Sequence, residues 1–375
     1  MKILYISDSV LPSRTANSIH VMNMTRAFAK IGHEVYLLTM KGDKDIDIYN
    51  YYGAERNFVI YNKINGKSLL SPIFFFFYCF FKIRTIDPDF IYGRGLFGML
   101  AVRYSKYNYA YELHTTLNKS KKITTKIYNA IRKKIINGNN FKFLVVISDA
   151  LKNILRSQNV DKDIFVEHDS ANEPEDLTKI SLESFNRPTL NIGYFGHLYK
   201  GRGLNIIKKL SEYFPQYSFH IVGGNDEDVN YYRKTFKDNR NIVLHGFVDP
   251  SVVHKYRNSC DILLAPYQKK VSVAGDKNFD SSKFMSPLKI FEYMSSRKAI
   301  ICSDMPVIRE VLNDKNSILV KPDDHFDWIK AIKTLENGKK RKDIAENAYT
   351  DFLEKYTWSK RAERISSIIC KYIEC

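Results

Sequence analysis

The sequence predicts an α/β protein of two doubly wound, Rossmann-like domains with a cleft between them. Three observations carry that expectation. Short β-branched and aromatic runs alternate with helical patterns along almost the whole chain, the order that builds parallel sheets from βαβ units. A polar segment bracketed by prolines, residues 171–188, divides the alternation into halves. At 375 residues the chain is long enough for each half to bury its own core.

In the first half, residues 1–170, the expected strands are KILYIS, EVYLLT, NFVIY, FIYGR, YAYELH, FLVVIS and IFVEH. Between the first two, SIHVMNMTRAFAKIG reads as a helix stopping at Gly32. In the second half, residues 189–354, the strands are TLNIGYFG, SFHIVGG, NIVLHG, DILLAPY, KAIICS and ILVKP. Each is a short apolar run of the kind buried on both faces of a sheet. Beyond Pro322 the pattern turns helical to the end.

A hydrophobic fraction of 44% and a charged fraction of 26% are those of a globular protein. The formal charge of +17 suits nucleic acid, an anionic membrane face or strongly anionic small ligands. The cysteines, Cys79, Cys260, Cys302, Cys370 and Cys375, are scattered without metal-ligand spacing, as in a reduced cytoplasmic chain. The opening MKILYISDS enters a strand directly and lacks the layout of a signal peptide. The expectation is a cytoplasmic protein, with peripheral attachment to the cytoplasmic face of the inner membrane as its extension.

Two segments motivate that extension. LLSPIFFFFYCFFKIR, residues 69–84, is apolar but shorter than the roughly 20 residues a spanning helix needs. It reads as a buried helix or as one that dips into the membrane interface, flanked by Lys67, Lys82 and Arg84. Between residues 118 and 142 the cations Lys119, Lys121, Lys122, Lys126, Arg132, Lys133, Lys134 and Lys142 stand without an acid. They form a solvated face or attract anionic headgroups. Nucleic acid is not expected, because no aromatic residues interleave as stacking platforms.

Ligands of doubly wound sheets bind beyond the carboxyl ends of the strands. One such exit is YFGHLYKGRG, where Gly196 allows a tight turn and Lys200 and Arg202 lie among further glycines. A basic, glycine-rich loop there suits phosphate. A second anion-competent element is SPLKIFEYM, residues 286–294, read as a helix with Ser286 at its N-cap and Pro287 as its first residue. Lys289 in the first turn opposes the helix dipole unless an anion sits there. Glu292, one turn deeper, suits the vicinal hydroxyls of a ribose, or else pairs with Lys289 at a spacing of three.

The order GHLYKGRGL, FHIVGG, NIVLHGFVDPSVVHKYRNSCDILLAPY and SPLKIFEYMSSRKAIICSDMPVIREVL resembles the carboxy-terminal domain of family 4 retaining glycosyltransferases, which have the GT-B fold. AFAKIGHEVYLLT, PDFIYGRG and YELHTT extend the resemblance through the first half. YTWSKRAERI is similar to the family's last helix, which implies that residues from about 355 to 375 pack back on the first domain.

The resemblance implies a nucleoside-diphosphate sugar as donor substrate, a UDP-sugar first and a GDP-sugar second, with no further cofactor and no metal. Arg202 matches the family's diphosphate-binding lysine, and His197 stands where an arginine with the same duty is common. Gly246, Phe247 and Val248 match the nucleobase segment. With Ser286 beside them, Leu288 and Lys289 match positions whose backbone amides meet the diphosphate, and Glu292 matches the ribose-binding carboxylate. His114 matches a histidine facing the donor sugar, with a hydrogen-bonding role and no triad partner in view; Glu112 is expected on the opposite side of the strand.

Two departures stand out. The family's first glutamate, eight positions before Glu292, is replaced by Phe284. The glycine pair of the first strand–helix loop is absent, with Ala16, Asn17 and Ser18 near its place; Arg14, Asn17 and Ser18 are the expected acceptor contacts.

The expected activity is transfer with retention to a growing polysaccharide or lipid-linked glycan. In it Arg202, Lys289 and helix N–H groups stabilise the departing diphosphate, and the acceptor attacks from the same face. A sugar-nucleotide epimerase of the same fold is the enzymatic alternative. An inactive scaffold binding nucleotide sugar or membrane is the other.

Overall fold

The computed structural model describes residues 1–13, 15–42, 46–117, 123–174, 176–183, 190–271 and 280–373. They fall into two units, Met1–Asp169 with Trp358–Cys375, and Ser170–Thr357.

Among the described residues of the first unit, seven strands form one sheet. They are β1 (Lys2–Leu11), β2 (Glu34–Lys41), β3 (Val59–Asn65), β4 (Phe90–Arg94), β5 (Tyr109–Leu113), β6 (Phe141–Val146) and β7 (Ile164–Val166). Every neighbouring pair is parallel, in the order β3-β2-β1-β4-β5-β6-β7. The helices between them are α1 (Ala16–Lys30), α2 (Ile48–Tyr52), α3 (Ser71–Ile86), α4 (Phe97–Val102), α5 (Ile123–Ile136) and α6 (Asp149–Ser157).

The second unit repeats this plan with six strands in the order β10-β9-β8-β11-β12-β13. Their ranges are β8 (Asn191–Phe195), β9 (Ser218–Val222), β10 (Ile242–Gly246), β11 (Ile262–Ala265), β12 (Ala299–Ser303) and β13 (Ile318–Val320). Its helices are α7 (Leu204–Tyr213), α8 (Asp226–Thr235), α9 (Val253–Asn258), α10 (Leu288–Ser295), α11 (His325–Glu336) and α12 (Gly338–Lys355). The last helix, α13 (Trp358–Ile373), belongs to the first unit and packs on α1 through a face carrying Ala362, Ile365 and Ile369.

The inner apolar runs become strands because they are covered on both sides, while the edge strands β3 and β10 stay partly open. All five residues of β9 and of β12 are buried. Ile192, Ile221, Leu264 and Ile301 from the sheet meet Leu204, Leu210, Trp328 and Ile332 from the helices in one core. In each sheet the strand order reverses beside the first strand, between β1 and β4 and between β8 and β11. Crevices at such reversals, outside the carboxyl ends of the strands, are where doubly wound sheets bind ligands.

One expected helix start moves. α10 begins at Leu288, with Pro287 in the capping position at φ −78° and ψ 121° and no side-chain hydrogen bond on the first turn. The capping position thus falls on Pro287 rather than on Ser286. The residue before a proline is driven toward extended backbone, and Pro287 is extended as well, so the helical turn opens one residue later. A proline in the capping position offers the leading N–H groups no side-chain oxygen of its own.

Candidate active site

The second unit brings Lys289 and Arg202 together where β8 ends. Gly196 turns the chain at φ +136°, and a Cβ there would lie 3.1 Å from Lys289 Nζ. The lysine side chain leaves the first turn of α10 and runs to this turn. Its Nζ lies 3.8 Å from the centroid of the Tyr194 ring and 5.4 Å from that of Tyr267. It is occluded from water and has no hydrogen-bond partner among the described residues. Burial, and after it the Arg202 guanidinium, push the Lys289 ammonium well below the usual lysine range.

Arg202 follows the tight turn closed by its own N–H on the Tyr199 carbonyl at 3.1 Å. Its guanidinium sits 5.5 Å from the Tyr267 centroid, and its Nε is likewise occluded, with no partner among the described residues. His197 stacks on Tyr199 at 4.8 Å. Burial, with Arg202 and Lys289 adding to it, lowers its pKa and keeps the ring neutral near pH 7. The geometry is fixed from below by Tyr293 of α10. Its hydroxyl accepts from the Phe195 N–H at 2.8 Å and donates to the Leu264 carbonyl at 3.2 Å, tying the helix to β8 and β11.

Glu292 lies 3.4 Å from Arg257 Nη1 of α9. Its expected alternative partner, Lys289, points elsewhere. The carboxylate keeps 31% of its side chain exposed, so it has acceptor capacity left for a ligand. Sequence reasoning missed Arg257, whose only signal was a cation in the segment between two strands. Gly246 closes β10 at φ +70°, and its carbonyl accepts from the Gly223 N–H at 2.6 Å. Phe247 follows exposed and Val248 half-buried. Ser286 is buried, Leu288 is the first helical residue, and Phe284 is buried where the carboxylate was expected.

In the first unit His114 follows β5, and its Nε2 lies 2.5 Å from Glu112 Oε1. This corrects the expectation that Glu112 points to the opposite side: residues two apart on a strand share a face. Arg361 Nη2 of α13 donates to the same oxygen at 2.9 Å, and the Tyr92 hydroxyl donates to Oε2 at 2.5 Å. His20 Nε2 is 3.0 Å from Oε1 without hydrogen-bond geometry, and its Nδ1 is 2.8 Å from Asp169. Burial opposes the Glu112 charge, but Arg361, His20 and His114 together hold its carboxyl well below the usual range. Burial, then Arg94, lowers His114 to about 4 against the pull of Glu112.

A carboxylate only accepts, so the His114 proton is on Nε2 and Nδ1 is left as an acceptor. His20, Glu112 and His114 bring ligand atoms within 4.8 Å of one another, but a cation there would face the Arg361 guanidinium on the same carboxylate oxygen.

The acceptor residues fare differently. Ser18 is buried, with its hydroxyl 2.9 Å from the Ser13 carbonyl and 2.8 Å from that of Thr15, so it serves the start of α1. Asn17 donates to Ser9 Oγ at 2.7 Å, and its Oδ1 is occluded with no partner among the described residues. Arg14 lies outside the described residues, as do Lys119, Lys121 and Lys122 of the basic stretch.

Two family models match the chain. Glycosyltransferase Family 4 matches residues 18–168, and Glycosyl transferases group 1 matches residues 190–337. Similar solved structures include sucrose-phosphate synthase from Thermosynechococcus elongatus, at 14% identity and TM-score 0.75 over 100% of this chain and 99% of that one. A glycosyltransferase from Rickettsia africae is similar at 14% identity and TM-score 0.73, covering 99% and 98%. HepE from Anabaena, solved with UDP, is similar at 14% identity and TM-score 0.71, covering 99% and 100%. No curated protein matched the chain by sequence. With one of the two models on each unit and the doubly wound sheet repeated in both, the chain is a family 4 glycosyltransferase of the GT-B fold.

Proposed function

We propose that this glycosyltransferase takes a sugar from a nucleoside-diphosphate sugar and transfers it, with retention, to a growing polysaccharide or lipid-linked glycan. The observation that carries the reading is the seat around Lys289. An occluded ammonium, an occluded guanidinium nitrogen and the N-terminus of α10, whose capping residue is a proline, meet at the β8–β11 reversal, and among the described residues neither nitrogen has a hydrogen-bond partner. Charges of one sign left unpaired in a protein are costly, and a diphosphate supplies what they lack.

In this reading the diphosphate lies on the Leu288 and Lys289 amides, Arg202 and Lys289. Glu292, steadied by Arg257, accepts from the ribose hydroxyls, and Gly246, Phe247 and Val248 border the base. The neutral His197 donates a hydrogen bond rather than a charge. As the glycosidic bond breaks, negative charge gathers on the leaving diphosphate, where these donors are already oriented. The acceptor hydroxyl attacks the anomeric carbon from the face the diphosphate leaves and gives its proton to the departing phosphate oxygen. In the first unit, His114 Nδ1 accepts from a sugar hydroxyl.

HepE has been solved with UDP and with UDP-glucose, which favours a UDP-sugar over a GDP-sugar. A lipopolysaccharide outer core galactosyltransferase and a glycosyltransferase involved in lipopolysaccharide biosynthesis are among the structural neighbours, which favours a glycan acceptor carried on lipid. The test is a panel of UDP-, GDP-, ADP- and CMP-sugars with lipid-linked glycan acceptors, read by proton NMR at the anomeric signal. An α-linked donor gives an α-linked product. A β-linked product contradicts the mechanism, and consumption of no donor contradicts the reading as a whole.

A further inference from the structure

We infer that the α3–α5 side of the first unit is a docking surface for an anionic lipid membrane. The inference stands on this surface alone and is independent of the donor assignment.

α3 has two opposite stripes. Phe75, Cys79, Ile83 and Ile86 are buried. Leu70, Phe74, Phe77 and Phe81, spaced four, three and four apart, lie on the other side, and each is more than half exposed. Ile73 and Leu69 widen the row. A monomeric protein rarely exposes so continuous an apolar surface without a use for it.

The row is edged by cations. Lys82 Nζ lies 4.0 Å over the centre of the Tyr61 ring and the Arg84 guanidinium lies 4.0 Å over that of Phe80, so each charge rests on an aromatic face. α4 packs against both α3 and α5, and Phe97 of α4 meets Tyr128 of α5 at 6.5 Å. α5 in turn exposes Ile123, Ile127 and Tyr128 together with Lys126, Lys133 and Lys134. Neither α3 nor α5 carries an acidic residue.

The charge decides what covers the surface. A second copy of this chain would set one positive rim against another, on a protein of formal charge +17. An anionic bilayer neutralises the rim while its interface takes the aromatic row. No helix among the described residues is long and apolar enough to cross a membrane. At 16 residues α3 is about 24 Å long, so it lies along the bilayer surface rather than through it.

The test is vesicle flotation of the full chain with phosphatidylcholine alone and with added phosphatidylglycerol, at low and high salt. The wild type floats with the anionic vesicles at low salt and sinks at high salt. F77E/F81E cuts the vesicle-bound fraction at least about tenfold, and K133E/K134E lowers it at low salt. Both pairs are exposed, so circular dichroism and the melting temperature stay at wild-type values. No flotation of the wild type at low salt overturns the inference, as does F77E/F81E floating like the wild type. A wild-type dimer in solution that F77E/F81E turns into a monomer assigns the surface to a second copy and overturns it equally.

Discussion

Lys289 Nζ stands 3.8 Å from the centre of the Tyr194 ring, with no hydrogen-bond partner among the described residues. The ring face offsets part of the lost hydration, and in the proposed reading a negative ligand supplies the rest.

Lys289→Met keeps the stem and removes the charge. The empty protein gains about 1–2 kcal/mol, while affinity for the nucleoside diphosphate falls about 10–100-fold. Calorimetric titration and thermal melting read the two effects separately. The folded ammonium gives up its proton more readily than the unfolded one, whose reference value is 10.5. Between the two pKa values the unfolded chain binds more protons, so this residue's contribution to stability rises with pH there. In Lys289→Met that slope disappears.

Gly196→Ala places a methyl group 3.1 Å from Nζ at a φ of +136° that side chains rarely adopt. The variant loses about 1–3 kcal/mol in denaturant titration and binds nucleoside diphosphate more weakly. Wild-type affinity in a destabilised variant would show that the position of Nζ does not govern binding.

Glu292→Ala separates ribose from diphosphate. The wild type prefers UDP to 2′-deoxy-UDP by about 10–100-fold through charge-assisted hydrogen bonds, and the variant binds the two alike. A variant that still discriminates would remove the carboxylate from the ribose.

Acid weakens the first unit. His114 is lowered to about 4 from 6.5, so between those values the unfolded chain binds the extra proton. The resulting loss of stability as pH falls through that window is about 3 kcal/mol. Glu112, held well below the usual carboxylate range, adds its own loss as pH falls through and below 4.5. His114→Gln, which cannot titrate, flattens the upper part of the profile of melting temperature against pH. Glu112→Gln leaves Arg361 buried without its charge partner and costs about 3–5 kcal/mol at neutral pH.

Much of this was legible in the chain. Alternating apolar runs foretold both sheets, and the glycine and lysine positions after β8 and at α10 pointed to an anion. What was hidden is long-range. Nothing local says that Arg361 will reach Glu112 across 249 positions, or that Arg257 rather than Lys289 will hold Glu292. Glu112 itself was legible, since a strand's period of two sets it beside His114, and it was misplaced. Ser18 looked like a free hydroxyl because a polar residue in a loop gives no sign that backbone carbonyls will claim it.

The most direct test of the account is calorimetric titration of the full chain with UDP and GDP, each beside its nucleoside. The account predicts that one diphosphate binds well and its nucleoside weakly, and that Lys289→Met and Arg202→Ala each weaken the diphosphate far more than the nucleoside. Binding of neither diphosphate, or wild-type diphosphate affinity in both variants, would contradict it.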